Sequence, residues 1–108
     1  MNKIVNLTPH DIVFVGDDGN VILTVTPSGL ARVQATVVAT GITIGGIPIT
    51  ETKFGEVEGL PEPKEGTAYV VSRMVAEAAK GREDLFIPNE SVRDESGRIV
   101  GCRSLTQV

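Results

Sequence analysis

The chain has 108 residues with a net charge of −4 at pH 7, and a length of this order fits one domain, spanning 1–108, with a modest core. The acidic balance, with a pI near 4.9, excludes a sequence-independent grip on duplex nucleic acid, which needs a basic stripe to displace counterions. Cys102 is the only cysteine, which excludes an intrachain disulfide and a thiolate set for zinc or iron–sulfur, and fits a reducing compartment.

Tryptophan is absent and aromatic residues make up 4% of the chain, so Val, Ile, Leu and Ala must fill the interior, and that composition favours sheet. The first residues, Met1-Asn2-Lys3-Ile4-Val5, lack the apolar core of a secretion signal. No apolar run approaches the roughly 20 residues that span a bilayer, so a cytoplasmic protein with no membrane partner is expected.

In chain order, residues 3–7 form a short apolar run stopped by Thr8-Pro9, and residues 12–15 form another, ending at Gly16-Asp-Asp-Gly-Asn20. That pentapeptide reads as a hairpin turn, because Asp, Asn and Gly accept left-handed backbone angles; residues 21–26 should return antiparallel. Pro27-Ser28-Gly29 breaks the pairing. Residues 31–40 and 42–52 are β-branched and read as two more strands, with Gly45-Gly46 and Pro48 marking a bulge, corner or edge. Residues 54–66 mix four glutamates with two prolines and three glycines, which reads as a solvated connector. Residues 67–71 return to strand. Ser72 then stands as an N-cap before the chain's one main helix, about 72–80, with Gly81 placed to end it. Residues 85–87 read as a short strand ended by Pro88, and residues 94–97 as a turn joining residues 91–93 to 98–105. The expected class is α+β, mostly antiparallel sheet with that single helix.

Catalytic chemistry finds little support. His10 is the only histidine, and its neighbour Asp11 points to the opposite face of an extended chain, so a dyad is disfavoured and a turn before Pro9, tied by Thr8 or His10, is preferred. A metal site would lack ligands beyond carboxylates, and Cys102 reads as an inert thiol in the last strand. Neither a Walker nor a Rossmann glycine pattern is present. No enzyme activity, cofactor or metal is expected.

The arginines carry the remaining signal: five of six, Arg73, Arg82, Arg93, Arg98 and Arg103, lie in the C-terminal third. Ser72 and Arg73 mark a strand-to-helix junction where free N–H groups and a guanidinium can meet an anion, or where the serine is a plain cap. Alternation puts Arg103 on a face with Ile99, Gly101 and Leu105, a placement that suits either a phosphate clamp or an intersubunit ion pair. Arg32 carries the same two readings, with a surface solubilising role as a third.

Asn6-Leu-Thr-Pro-His10, Pro27-Ser-Gly-Leu-Ala-Arg-Val33, Phe54-Gly-Glu-Val-Glu-Gly-Leu-Pro61, Tyr69-Val-Val-Ser72 and Val92-Arg-Asp-Glu-Ser-Gly-Arg-Ile-Val-Gly-Cys-Arg103 together resemble a family of small proteins encoded by bacteriophages, prophages and bacteria. The likeness covers nearly the whole chain in the same order. By analogy the chain also resembles the Thoeris anti-defence sponges of phages, which are small, non-enzymatic, β-rich and bind cyclic ADP-ribose-type or cyclic oligonucleotide signals. So small a core gains from subunit contacts, which makes a homo-oligomer the expectation; the resemblance implies that it sequesters a small anionic nucleotide ligand without turnover, in the host cytosol if the protein is phage-encoded. Arg73, Arg103, Arg32 and Ser72 would then hold phosphates, Tyr69 or Phe86 would stack on a base, and Asn6 or Asn89 would read its edge. The competing expectation is a phage structural or host-protein-interaction protein whose β edges pair with another copy or a partner, with no small-molecule ligand.

Overall fold

The computed structural model describes residues 2–108, and these contain eight strands and one helix. In order they are β1 (Lys3–Asn6), β2 (Ile12–Val15), β3 (Val21–Val25), β4 (Arg32–Ile44), β5 (Ile47–Glu58), β6 (Thr67–Val70), α1 (Arg73–Ala78), β7 (Leu85–Arg93) and β8 (Ile99–Thr106). No helix among the described residues is long and apolar enough to cross a membrane.

Six strands form one sheet in the order β1-β6-β7-β8-β2-β3, and β4 with β5 form a separate two-stranded ribbon. Antiparallel pairing is expected from the sequence and supplies most of the ladder, through β2–β3, β4–β5 and β7–β8. The remaining three contacts, β1–β6, β6–β7 and β2–β8, are parallel. The β6–α1–β7 segment explains one of them: a strand, a crossover helix and a neighbouring strand require the two strands to run the same way.

The six-stranded sheet curls until its two edges meet. Asn6 bridges Pro27, and the Ser28 amide donates to the Asn6 carbonyl at 2.9 Å, so β1 and the end of β3 touch at one seam. Ile12, Phe14, Val70 and Cys102, joined by Ile4, Val25 and Leu105, form one apolar cluster; five different strands supply it, as the inside of a curled sheet demands. A second cluster contains Leu7, Ala31, Tyr69, Val71, Leu85 and Ile87. Strand alternation explains the division, since Tyr69 and Val71 point away from the face that carries Val70. Val75 and Ala76 of α1 and the half-buried Val33 and Val57 cover this second cluster.

The seam depends on Asn6, which has no exposed surface. Its Nδ2 donates to the carbonyls of His10 at 2.7 Å and Val25 at 2.9 Å. Its Oδ1 accepts from the Thr8 amide at 2.9 Å and the Thr8 hydroxyl at 2.7 Å. Both donors and both lone pairs of the amide are used, so its burial leaves nothing unpaired. The turn at Thr8–His10 is thus tied as the sequence suggests, by threonine rather than by histidine.

Several boundaries differ from the sequence reading. The Gly16–Asn20 turn forms as expected, with Gly19 at φ 83° and the Asp18 carboxylate accepting from the Asn20 amide at 3.0 Å. The β4–β5 turn falls at Gly45-Gly46, with φ 58° and 81°, not at Gly41. Two consecutive left-handed residues make the primed turn that suits a two-residue hairpin, and Gly41 instead lies where the register shifts between Ala39 and Thr43. β5 runs on through Glu58, so the first five residues of the expected connector are strand. β7 passes through Pro88 to Arg93; β6 pairs with it only at Leu85 and Phe86, so Pro88 lies where β7 has become an edge strand, which tolerates proline. The helix begins after Ser72 as expected and stops at Ala78.

Asn6→Ala should lower the unfolding free energy measured in urea by about 3 kcal/mol or more, because two carbonyls and two Thr8 donors lose their buried partner. Asn89→Ala, at an exposed site, should stay within about 0.5 kcal/mol of wild type. Gly59 has φ 78°, and an added Cβ there would collide with the Leu30 carbonyl oxygen; Gly59→Ala should therefore destabilise the root of the β4–β5 ribbon, seen as faster amide exchange in residues 30–34.

Candidate functional site

The residues nominated for anion binding do not gather in one place. Arg73 starts α1 and pairs with Glu77 at 3.9 Å, both largely exposed. Arg103 on β8 donates to the Gly16 carbonyl at 3.1 Å and lies 3.5 Å from Asp17. Arg32 at the start of β4 pairs with Glu58 at 3.1 Å. Each guanidinium answers to its own local acceptor, and no hydrogen bond or ion pair among the described residues joins two of the nominated side chains.

The others divide between structural work and open surface. The Ser72 hydroxyl oxygen accepts from the Val75 amide at 3.3 Å, the ordinary N-cap contact. Tyr69 is buried in the cluster beneath α1, with its hydroxyl 3.4 Å from the Glu62 carbonyl, so its ring has no free face for a base. Asn6 is fully committed to the seam. Phe86 is half-buried on β7, and Asn89 is exposed on the same strand. Arg32 borders a hollow of about 490 Å³ at the ribbon's root, beside Glu56 and Glu58. Three further hollows, of about 320, 350 and 580 Å³, are lined by none of the nominated residues. Cys102 is buried as expected, and burial pushes its thiol up.

One ion pair escaped sequence reasoning. Arg82 and Asp84 form a two-pronged contact at 2.7 and 2.8 Å, with side chains only 23% and 10% exposed. The same guanidinium donates to the Pro61 carbonyl at 3.0 Å, so it fastens the connector after β5 to the loop before β7. The Arg82 guanidinium holds the Asp84 carboxyl below the usual carboxylate range. Two charges two residues apart in an irregular segment give no periodic signal, which is why the pair was not legible.

The most unusual feature is the β4–β5 ribbon. Its strands have 13 and 12 residues, a reach of about 40 Å at ordinary strand rise. Beyond the root only Val38 and Ile49 are even half-buried. Ile42, Ile44 and Ile47 at the tip and Val37 lower down are 60 to 68% exposed. The cross-strand pairs Ala35–Phe54, Val37–Thr52 and Ala39–Thr50 lie on one face and carry no charge. The pairs between them, Thr36–Lys53 and Val38–Glu51, place both nearby charges on the other face, where Lys53 and Glu51 lie 3.9 Å apart. Residues 37–50 contain no charged side chain at all.

Such an arm is poorly suited to solitary existence. A free two-stranded hairpin is marginal in water, and both of its edges present unpaired backbone groups. The arm also enlarges the molecule: the Cα radius of gyration is 16.7 Å, against about 13 Å for a compact chain of this length. Accessible surface is 7425 Å², against about 5,800 Å² for a compact monomer of this mass. Comparisons with family models, with curated proteins and with solved structures find no match.

Asp84→Asn should lower stability at pH 7 by about 1–3 kcal/mol, leaving Arg82 without its counter-charge. Because the folded-state pKa of Asp84 is depressed, that contribution is present above the unfolded value of about 3.9 and is lost as pH falls through the lower folded value. The difference between variant and wild type in urea titrations should therefore shrink below pH 4. Arg73→Ala removes only an exposed pair and should change stability by about 0.5 kcal/mol or less.

Proposed function

We propose that this chain is a non-catalytic assembly subunit, the structural or interaction protein weighed above against nucleotide capture, that joins copies of itself through the β4–β5 arm. The single observation behind the reading is the arm: an exposed ribbon with an uncharged face and an isoleucine tip, projecting from a small curled sheet. Apolar surface of that extent, clustered on one projection, is the mark of a protein contact rather than of a solvated loop. An arm also gives a small chain more contact area than a compact body of its mass can offer.

Nucleotide capture by Arg73, Arg103 and Arg32 stands as the competing proposal. It requires each guanidinium to leave its present acceptor and the three to be gathered from different subunits, since within one chain they serve separate neighbourhoods.

Sedimentation velocity at tens of micromolar should show a species of at least twice the 11.4 kDa chain mass. Replacing residues 37–52 with a two-residue Asn-Gly turn, so that the native Thr36–Lys53 pair flanks it, should yield a monomer that still unfolds cooperatively. A monomeric wild-type protein would sink the assembly reading. Cyclic ADP-ribose isomers and cyclic oligonucleotides should leave the thermal midpoint unchanged; a ligand at 100 times its Kd would add about 2.7 kcal/mol, and a shift of that size would restore the nucleotide reading.

A further inference from the structure

The arm leaves open which surface receives it, and the curled sheet offers one receiver of suitable chemistry. β2 and β8 share a single paired position, Phe14 with Cys102. Beside it, Gly101 lets β2 pass unusually close: a Cβ there would stand 2.7 Å from Val15 Cγ2 and 2.8 Å from the Val13 carbonyl oxygen. With no further ladder between the two strands, a cleft of about 320 Å³ opens, lined by Ile12, Val13, Pro88, Ile99 and Val100 with Asp11 as its one charged residue. Ile99 and Val100 are 59% and 46% exposed despite being apolar neighbours on one strand.

We propose that the isoleucine tip of the β4–β5 arm from one copy seats in the β2–β8 cleft of a second copy. The inference rests on the assembly reading above and names the receiving site. Charge supports it: the tip segment carries none and the cleft only the Asp11 carboxylate, so docking brings no like charges together. Area supports a second copy of this chain as the occupant. The surface in excess of a compact monomer, 7425 Å² less about 5,800 Å², is about 1,600 Å². A standard interface takes about 800 Å² from each partner, so the extended chain carries more surface than one such half-interface needs. Because arm and cleft are different surfaces, the contact is heterologous, and it closes either by reciprocal exchange between two copies or as a ring.

Disulfide trapping tests the contact. Two variants are made in a Cys102→Ala background, one with Ile44→Cys and one with Val100→Cys, and are mixed under mild oxidation; Leu23→Cys on β3, 47% exposed in wild type, replaces Val100→Cys in the control. All three engineered sites are exposed, so the fold should tolerate them. If the Cys102→Ala background does not fold, the native background serves, since the buried Cys102 thiol reacts slowly. The expected result is a crosslink between positions 44 and 100 that forms at least tenfold faster than one between 44 and 23. An oligomer by sedimentation that gives no preferential 44–100 crosslink would overturn the cleft as receiver while leaving arm-mediated assembly standing. A monomer by sedimentation would overturn both.

Discussion

The structure depends on one buried amide. A fully buried asparagine is costly unless every polar atom finds a partner, and Asn6 meets that demand by drawing three separate pieces of chain to itself: its own β1, the Thr8–His10 turn and the end of β3. The result is directional in a way apolar packing is not. Three of its four bonds shape the turn within residues 6–10, and the fourth, from Nδ2 to the Val25 carbonyl, crosses the seam and is made only when β1 and the end of β3 are brought together. From that seam the chain is carried onward by the Ser28 and Ala31 amides, which donate to the Asn6 and Leu7 carbonyls, and this directs residue 32 outward as the arm begins.

The arm and the curled sheet obey different rules. In the sheet, alternation separates two apolar clusters, one enclosed and one covered by α1, and the charged pair Arg82–Asp84 locks the connectors around them. The arm has no comparable interior. Only Val33 and Val57 anchor it to the cluster beneath the helix, and Gly59 permits the tight return of the chain past Leu30. Past that root its order comes from its own ladder.

This difference explains what the sequence disclosed. The Gly16–Asn20 hairpin and the Ser72 cap were legible because short-range chemistry determines them: a carboxylate reaching an amide two residues on, or a hydroxyl reaching one three residues on. β5 beyond residue 53 was not legible, because a strand exposed on both faces has no buried face to impose alternation, so Phe54-Gly-Glu-Val-Glu58 looks like loop. The length of the arm was likewise hidden by three glycines, Gly41, Gly45 and Gly46, competing for one turn; two in succession won, since a primed hairpin needs two left-handed residues. The arginine cluster was a cluster only along the chain. Folding sends Arg73 to the helix and Arg103 to the opposite flank of β7, and residues adjacent in composition become strangers in space.

The 14-residue stretch without charge, residues 37–50, bears on the life of the protein in a cell. An uncovered ribbon frays and is cleaved readily, so under the proposed self-assembly a second copy would protect it by mass action and survival would rise with the concentration of the chain itself. Dilute protein would then be removed by proteases while concentrated protein persists. On that reading the arm makes abundance a condition of persistence, a threshold set without any regulatory ligand.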